Sequence, residues 1–148
     1  THLTTKTRMP QVHELLRIHR EATAEGPPVC GNLKKSGYWS EGVAKATSPD
    51  AAILLGDFNF QPSSIEYEEI VGPLSPYGGR VIHPNGFVDA WMVAAGKNNE
   101  GYTAKVKGIP ARLDYAFVST SLLNQIRTSW IDLDADGSDH QPLWLDIG

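Results

Sequence analysis

Residues Ala51-Ala52-Ile53-Leu54-Leu55 form an unbroken apolar run that stops at Gly56-Asp57-Phe58-Asn59. A run this short, closed by a glycine, reads as a strand buried on both faces. In extended backbone alternate side chains share a face, so Asp57 and Asn59 are expected to project together into a cleft while Phe58 turns into the core. A carboxylate beside a carboxamide can accept a proton from an attacking water and donate a hydrogen bond to a phosphoryl oxygen. A plain turn is the competing reading, because Gly, Asp and Asn dominate turns.

Composition bounds what surrounds that strand. With 148 residues, 41% of them hydrophobic and 20% charged, the chain has the make-up of one packed domain or part of a larger one, which excludes disorder and collagen-like structure. No apolar run approaches the roughly 20 residues of a membrane-spanning helix, and Thr1-His2-Leu3-Thr4-Thr5 lacks the apolar core of a signal peptide. The expectation is a soluble chain, with the cytoplasm slightly favoured as its compartment. Cys30 is the sole cysteine, so neither an intramolecular disulfide nor a Cys-based zinc cluster can form. Thirteen basic against 17 acidic residues leave a net charge of −4, so a nucleic-acid partner would have to be held by a local site or a bound cation.

Around the central run, Pro10 to Ala24 predicts a helix, with Val12, Leu15, Leu16, His19 and Ala22 on one face and Pro10 in its first turn. Residues 26–50 are rich in Gly, Pro, Ser and Lys and read as a long polar loop or insertion. Ser63 followed by Glu66 predicts a capping box opening a short helix that closes near Gly72-Pro73. Phe87 to Met92 reads as helix or short strand, and Leu113 to Ser119 as a strand placing Leu113, Tyr115 and Phe117 opposite Asp114, Ala116 and Val118. A helical turn at Ser121 to Ile126 leads to two final strands, Trp130 to Leu133 and Leu143 to Ile147. Thr1-His2-Leu3 reads as the end of a strand already under way, so the chain is expected to be a fragment.

Two further segments set polar residues against apolar strands. Asp114 is a carboxylate inside the otherwise apolar Leu113–Val118 stretch and needs a partner, since an isolated buried charge is expensive. A salt bridge to Arg112 and an edge position facing solvent are alternatives to a site role. Ser138-Asp139-His140-Gln141-Pro142-Leu143 presents a histidine suited to proton donation or to phosphate stabilisation, with Asp114 a candidate to fix its tautomer. Asp132-x-Asp134-x-Asp136-Gly137 matches the opening of a calcium loop, yet Leu143 stands where the bidentate Glu belongs, so an acidic surface loop is expected instead. His13, His19 and His83 read as structural.

In this order, Ile53 to Asn59, Arg112 to Ser119 and Ser138 to Leu143 resemble the GDFN, R-[IL]-D-Y-x-[FL]-V-S and SDHxPV motifs of the endonuclease/exonuclease/phosphatase superfamily. Thr1-His2-Leu3 is similar to its N-T-H-L segment, and Arg8 and Gln11 fall where an R-x-x-Q pair follows it. The resemblance implies an α+β fold, a DNase I-like sandwich of two sheets flanked by helices, of which residues 1–148 would supply about the C-terminal half. It also implies that an early Asn, the principal metal-ligating Glu and an acidic partner of the first histidine belong to the N-terminal half. By the same resemblance Asp57 would activate water, Asn59 would hold a phosphate oxygen, and His140, steered by Asp114, would stabilise the transition state. His2 would add a second stabilising contact and Asp139 would join the metal shell. Lys105 and Lys107 are candidate phosphate contacts. The expected activity is phosphodiester hydrolysis of nuclease type, with Mg²⁺, or Mn²⁺, as cofactor, because magnesium prefers oxygen ligands. The alternative is an incomplete half-domain that binds or dimerises through an exposed sheet face.

Overall fold

The computed structural model describes residues 1, 3–25, 49–95 and 101–148. Elements run α1 (Thr5–Glu25), β1 (Ile53–Asp57), α2 (Ile65–Val71), β2 (Phe87–Asp89), α3 (Ala90–Ala94), β3 (Ala104–Val106), β4 (Ile109–Ala111), β5 (Asp114–Ser119), a 3₁₀ turn (Thr120–Gln125), β6 (Ile126–Ile131) and β7 (Leu143–Ile147). Residues 26–48 of the expected long loop lie outside the described residues, as does His2. Among the described residues, no helix is long and apolar enough to cross a membrane.

The architecture is α+β, built on an antiparallel sheet ordered β1-β5-β2. As the middle strand, β5 is covered on both faces and therefore apolar in nearly every position. Tyr115 and Phe117 enter a cluster with Val12 of α1, Phe58, Phe60, Phe87, and Tyr67, Ile70 and Val71 of α2. Ala116 and Val118 face the other way, against Ile126, Leu143, Leu145 and Ile147 of the β6–β7 hairpin. Helices α1 and α2 thus lie on one side of the central sheet, and the two-stranded β6–β7 sheet, together with Ala90 of α3, on the other. The cover over β1 is incomplete, since Ile53 is 38% and Leu55 67% exposed. On the outer face of the hairpin, Trp130 and Trp144 pair across the strands with ring centroids 5.8 Å apart and planes 7° from parallel.

Several expectations shift. The helix of α1 starts at Thr5, where the Thr4 carbonyl accepts from Thr7 N and Arg8 N, so Pro10 falls beyond the first turn. Arg8 anchors this early turn, pairing with the buried Glu66 carboxylate at 2.8 Å. Glu66 is therefore not the reciprocal half of a capping box. The α2 cap is Ser64, whose hydroxyl accepts from Tyr67 N at 3.2 Å. Phe87 to Met92 divides into β2 followed by α3, with the Asp89 side chain as the helix cap. The penultimate strand begins at Ile126 and ends at Ile131, ahead of the expected Trp130–Leu133; its early residues Arg127 and Thr128 are exposed and polar and Ser129 is polar yet buried, which hid the alternation. Thr1 and Leu3 lie outside any strand.

Candidate active site

The register of the central sheet decides what meets at its end. Asp57, last in β1, lies directly opposite Asp114, first in β5. Like charges facing each other across an antiparallel pair repel, so this end of the sheet needs donors or cations. Asn59 supplies the first of them. Its φ of 55° takes the chain out of extended geometry, and its side chain folds back onto its neighbour. The backbone N–H of Asn59 donates to Asp57 Oδ1 and its Nδ2 to Asp57 Oδ2, both at 2.8 Å. Asp57 and Asn59 therefore come together through an Asx-type turn rather than through strand alternation, so the turn reading holds for this segment without separating the two side chains. Nδ2 also donates to the Thr1 carbonyl at 2.7 Å. Phe58 turns inward, 5% exposed, as expected.

His140 supplies the second. Its Nδ1 lies 2.8 Å from Asp114 Oδ2. That hydrogen bond to Asp114 raises the His140 pKa above the usual imidazole value; partial burial opposes the shift, and the charges of Asp114, Asp57 and Asp139 add to it. Asp114 is therefore paired with His140 and not with Arg112. One ligand atom each from Asp57, Asp114 and His140 lie within 4.8 Å of one another. Asp139 is exposed beside them.

Backbone ties hold these segments together. Phe58 N donates to the Leu113 carbonyl at 2.9 Å. Tyr115 Oη sits 2.8 Å from the Phe60 carbonyl and 2.9 Å from that of Arg112, joining the residues after β1 to those before β5. Arg112 is buried and its Nη1 meets Asp89 Oδ2 at 2.6 Å, where Tyr67 Oη also donates at 2.8 Å. Burial raises the Tyr67 and Tyr115 pKa values far above the ordinary phenol, so both remain neutral donors. Sequence reasoning did not single out Asp89 or the Tyr115 hydroxyl, because their partners lie in distant segments.

The remaining candidates fall elsewhere. Lys105 is on β3 and Lys107 in the tight turn to β4, both exposed and outside the hydrogen-bonded cluster. His19 packs tilted against Phe87 with ring centroids 4.7 Å apart, His13 lies 3.6 Å from Glu69, and His83 Nδ1 accepts from Asn85 N, contacts that do not involve Asp57, Asp114 or His140.

A family profile described as the endonuclease/exonuclease/phosphatase family matches residues 20–140, and the chain belongs to that family. A search of curated proteins finds no match. Members of the family are generally hydrolases that depend on a divalent metal. The donor set fits a hard, oxygen-preferring cation: the Asp57 and Asp114 carboxylates gather here, while the one imidazole is engaged by Asp114.

Proposed function

We propose that this chain carries a divalent-metal-dependent phosphodiesterase site of nuclease type. The observation that supports the reading most directly is the convergence of Asp57, Asn59, Asp114 and His140 from three separate segments at one end of the central sheet. Two opposed carboxylates are costly to a sheet, and their retention beside an imidazole makes sense where protons and phosphoryl charge are handled.

In this reading Asp57, held in orientation by Asn59, accepts the proton of a water that attacks phosphorus in line with the leaving oxygen. His140 is fixed through Nδ1 by Asp114, so Nε2, which has no partner among the described residues, is the atom offered to a phosphoryl or leaving oxygen. His2 would contribute a second stabilising contact and Asn59 a contact to a phosphate oxygen. Lys105 and Lys107 would supply charge for the substrate at the neighbouring hairpin. Asp139 would hold the cation, Mg²⁺ or Mn²⁺, directly or through water, and the cation's chemistry is neutralisation of developing phosphoryl charge. The chain supplies about the C-terminal half of the complete domain in this proposal.

The test is Mg²⁺-dependent hydrolysis of bis(p-nitrophenyl) phosphate. Asp57→Ala and His140→Ala should each lower kcat by about 10²–10⁴-fold, the usual contribution of a positioned acid or base. Hydrolysis indifferent to both substitutions rejects the assignment. A second reading, association through an unpartnered sheet face, draws on the exposure of Ile53 and Leu55 along β1. Elution as a compact monomer in size-exclusion chromatography would reject it.

A further inference from the structure

Thr103 is fully buried and immediately precedes β3. Its Oγ1 accepts from Leu113 N and from Asp114 N, each at 3.1 Å. Its backbone N–H donates to the Ala111 carbonyl at 3.0 Å, and its own carbonyl accepts from Gln141 N at 2.6 Å. One side chain and its peptide groups therefore bind the first residue of β5 and the residue that follows His140. Leu113, held by the same hydroxyl, in turn accepts from Phe58 N between Asp57 and Asn59. Two of the three site segments are bound by this threonine directly, and the third is tied to it through Leu113.

We infer that Thr103 is a positioning residue: its hydroxyl and carbonyl set the separation between Asp114 and His140 at which their hydrogen bond forms. What that hydrogen bond does chemically rests on the phosphodiesterase reading above; the positioning itself does not. A threonine suits the task because its branched β-carbon restricts rotation about χ1, which fixes where the accepting oxygen lies. The two N–H groups it satisfies are adjacent in sequence and buried or partly buried, so without it the turn into β5 would have to rotate to find other acceptors. Valine has nearly the same shape and no acceptor. Serine keeps the acceptor and loses one methyl.

The alternative role is purely structural, an anchor for the β3–β4 hairpin. Such an anchor would lower the melting temperature when altered and leave the imidazole environment alone. The discriminating measurement is NMR of His140 in the metal-free full chain, observing its ring nitrogens and the Nδ1 proton, for wild type, Thr103→Val and Thr103→Ser. Thr103→Val should shift or broaden away the Nδ1 proton signal while Thr103→Ser retains it. In parallel, kcat for bis(p-nitrophenyl) phosphate should fall about 10–100-fold in Thr103→Val with KM within about twofold, the loss expected when a supporting hydrogen bond is removed, and Thr103→Ser should recover most of it. If Thr103→Val does not fold, Thr103→Ala replaces it under the same criteria. Wild-type His140 signals in a folded hydroxyl-free variant overturn the proposal, as does a serine variant no better than valine. A wild-type chain without hydrolytic activity refutes the phosphodiesterase reading alone, because the NMR comparison still decides the role of Thr103.

Discussion

Removing the Asp89 carboxylate should expose how the residues before Asp114 are held. In the folded chain it accepts from Arg112 Nη1 at 2.6 Å, from Tyr67 Oη at 2.8 Å and, as the cap of α3, from Trp91 N at 3.0 Å. Asp89 and Arg112 are each 3% exposed, so solvent cannot replace the lost partner. Asp89→Ala leaves a buried guanidinium without its counter-charge, for which a loss of about 3–5 kcal/mol is expected. Against a total stability of about 5–15 kcal/mol that is a large fraction, and it corresponds to a fall in Tm of roughly 6–20 °C at this chain length. Urea denaturation of Asp89→Ala, Arg112→Met and the double variant Asp89→Leu/Arg112→Met measures it, with stability read from the midpoint at constant slope. The double variant should recover at least about half of the single-variant loss, because replacing both charges removes the burial cost along with the attraction. A loss below about 1 kcal/mol for Asp89→Ala, or a double variant as unstable as the sum of the singles, would refute the argument.

Two further outcomes follow from the packing around α2. Burial works to raise the Glu66 pKa, yet its own backbone N–H, Arg8 and the Thr5 hydroxyl hold it below the ordinary 4.5. A lowered folded pKa contributes stability that is present above the unfolded value and lost as pH falls through the folded one. Wild-type stability should therefore drop on acidification below about pH 4.5 more steeply than that of Glu66→Gln, as read from urea midpoints across that range. Gly72 ends α2 with φ of 86°, and a Cβ there would overlap the Val81 carbonyl. Gly72→Ala should cost about 1–3 kcal/mol by the same assay, whereas unchanged stability would mean that the 73–81 loop is free to move aside.

The apolar strands β5 and β7 were the most legible parts of the chain, whereas β1, expected to be buried on both faces, is largely exposed. Leu113–Ser119 differs by a single residue at its start, because burial on two sides leaves an apolar run that needs no further context, and Leu143–Ile147 matches its expectation although only Leu143, Leu145 and Ile147 turn toward the core while Trp144 and Asp146 face out. The β6 strand was misplaced since Arg127 and Thr128 face solvent and a register irregularity falls between Ile126 and Thr128. The β3–β4 hairpin went unread as such. Its signal was Lys107-Gly108, a two-residue turn with φ of 51° and 81°, set between Val106 and Ile109. Asp57, Asn59, Asp114 and His140 were read as one cluster and are brought together. Thr103 and Asp89 were out of reach, because one acts through backbone groups ten and more residues away and the other through a side chain 23 residues distant, and neither separation leaves a periodic trace.

The parallel indoles of Trp130 and Trp144 give the hairpin an optical signature of its own. Two chromophores stacked this closely couple their transitions, so the pair should contribute a paired positive and negative band to the circular dichroism that an isolated tryptophan lacks. Because the strands they sit on deliver His140 at the connecting bend, that band offers a label-free gauge of whether this corner of the molecule is assembled, independent of any turnover.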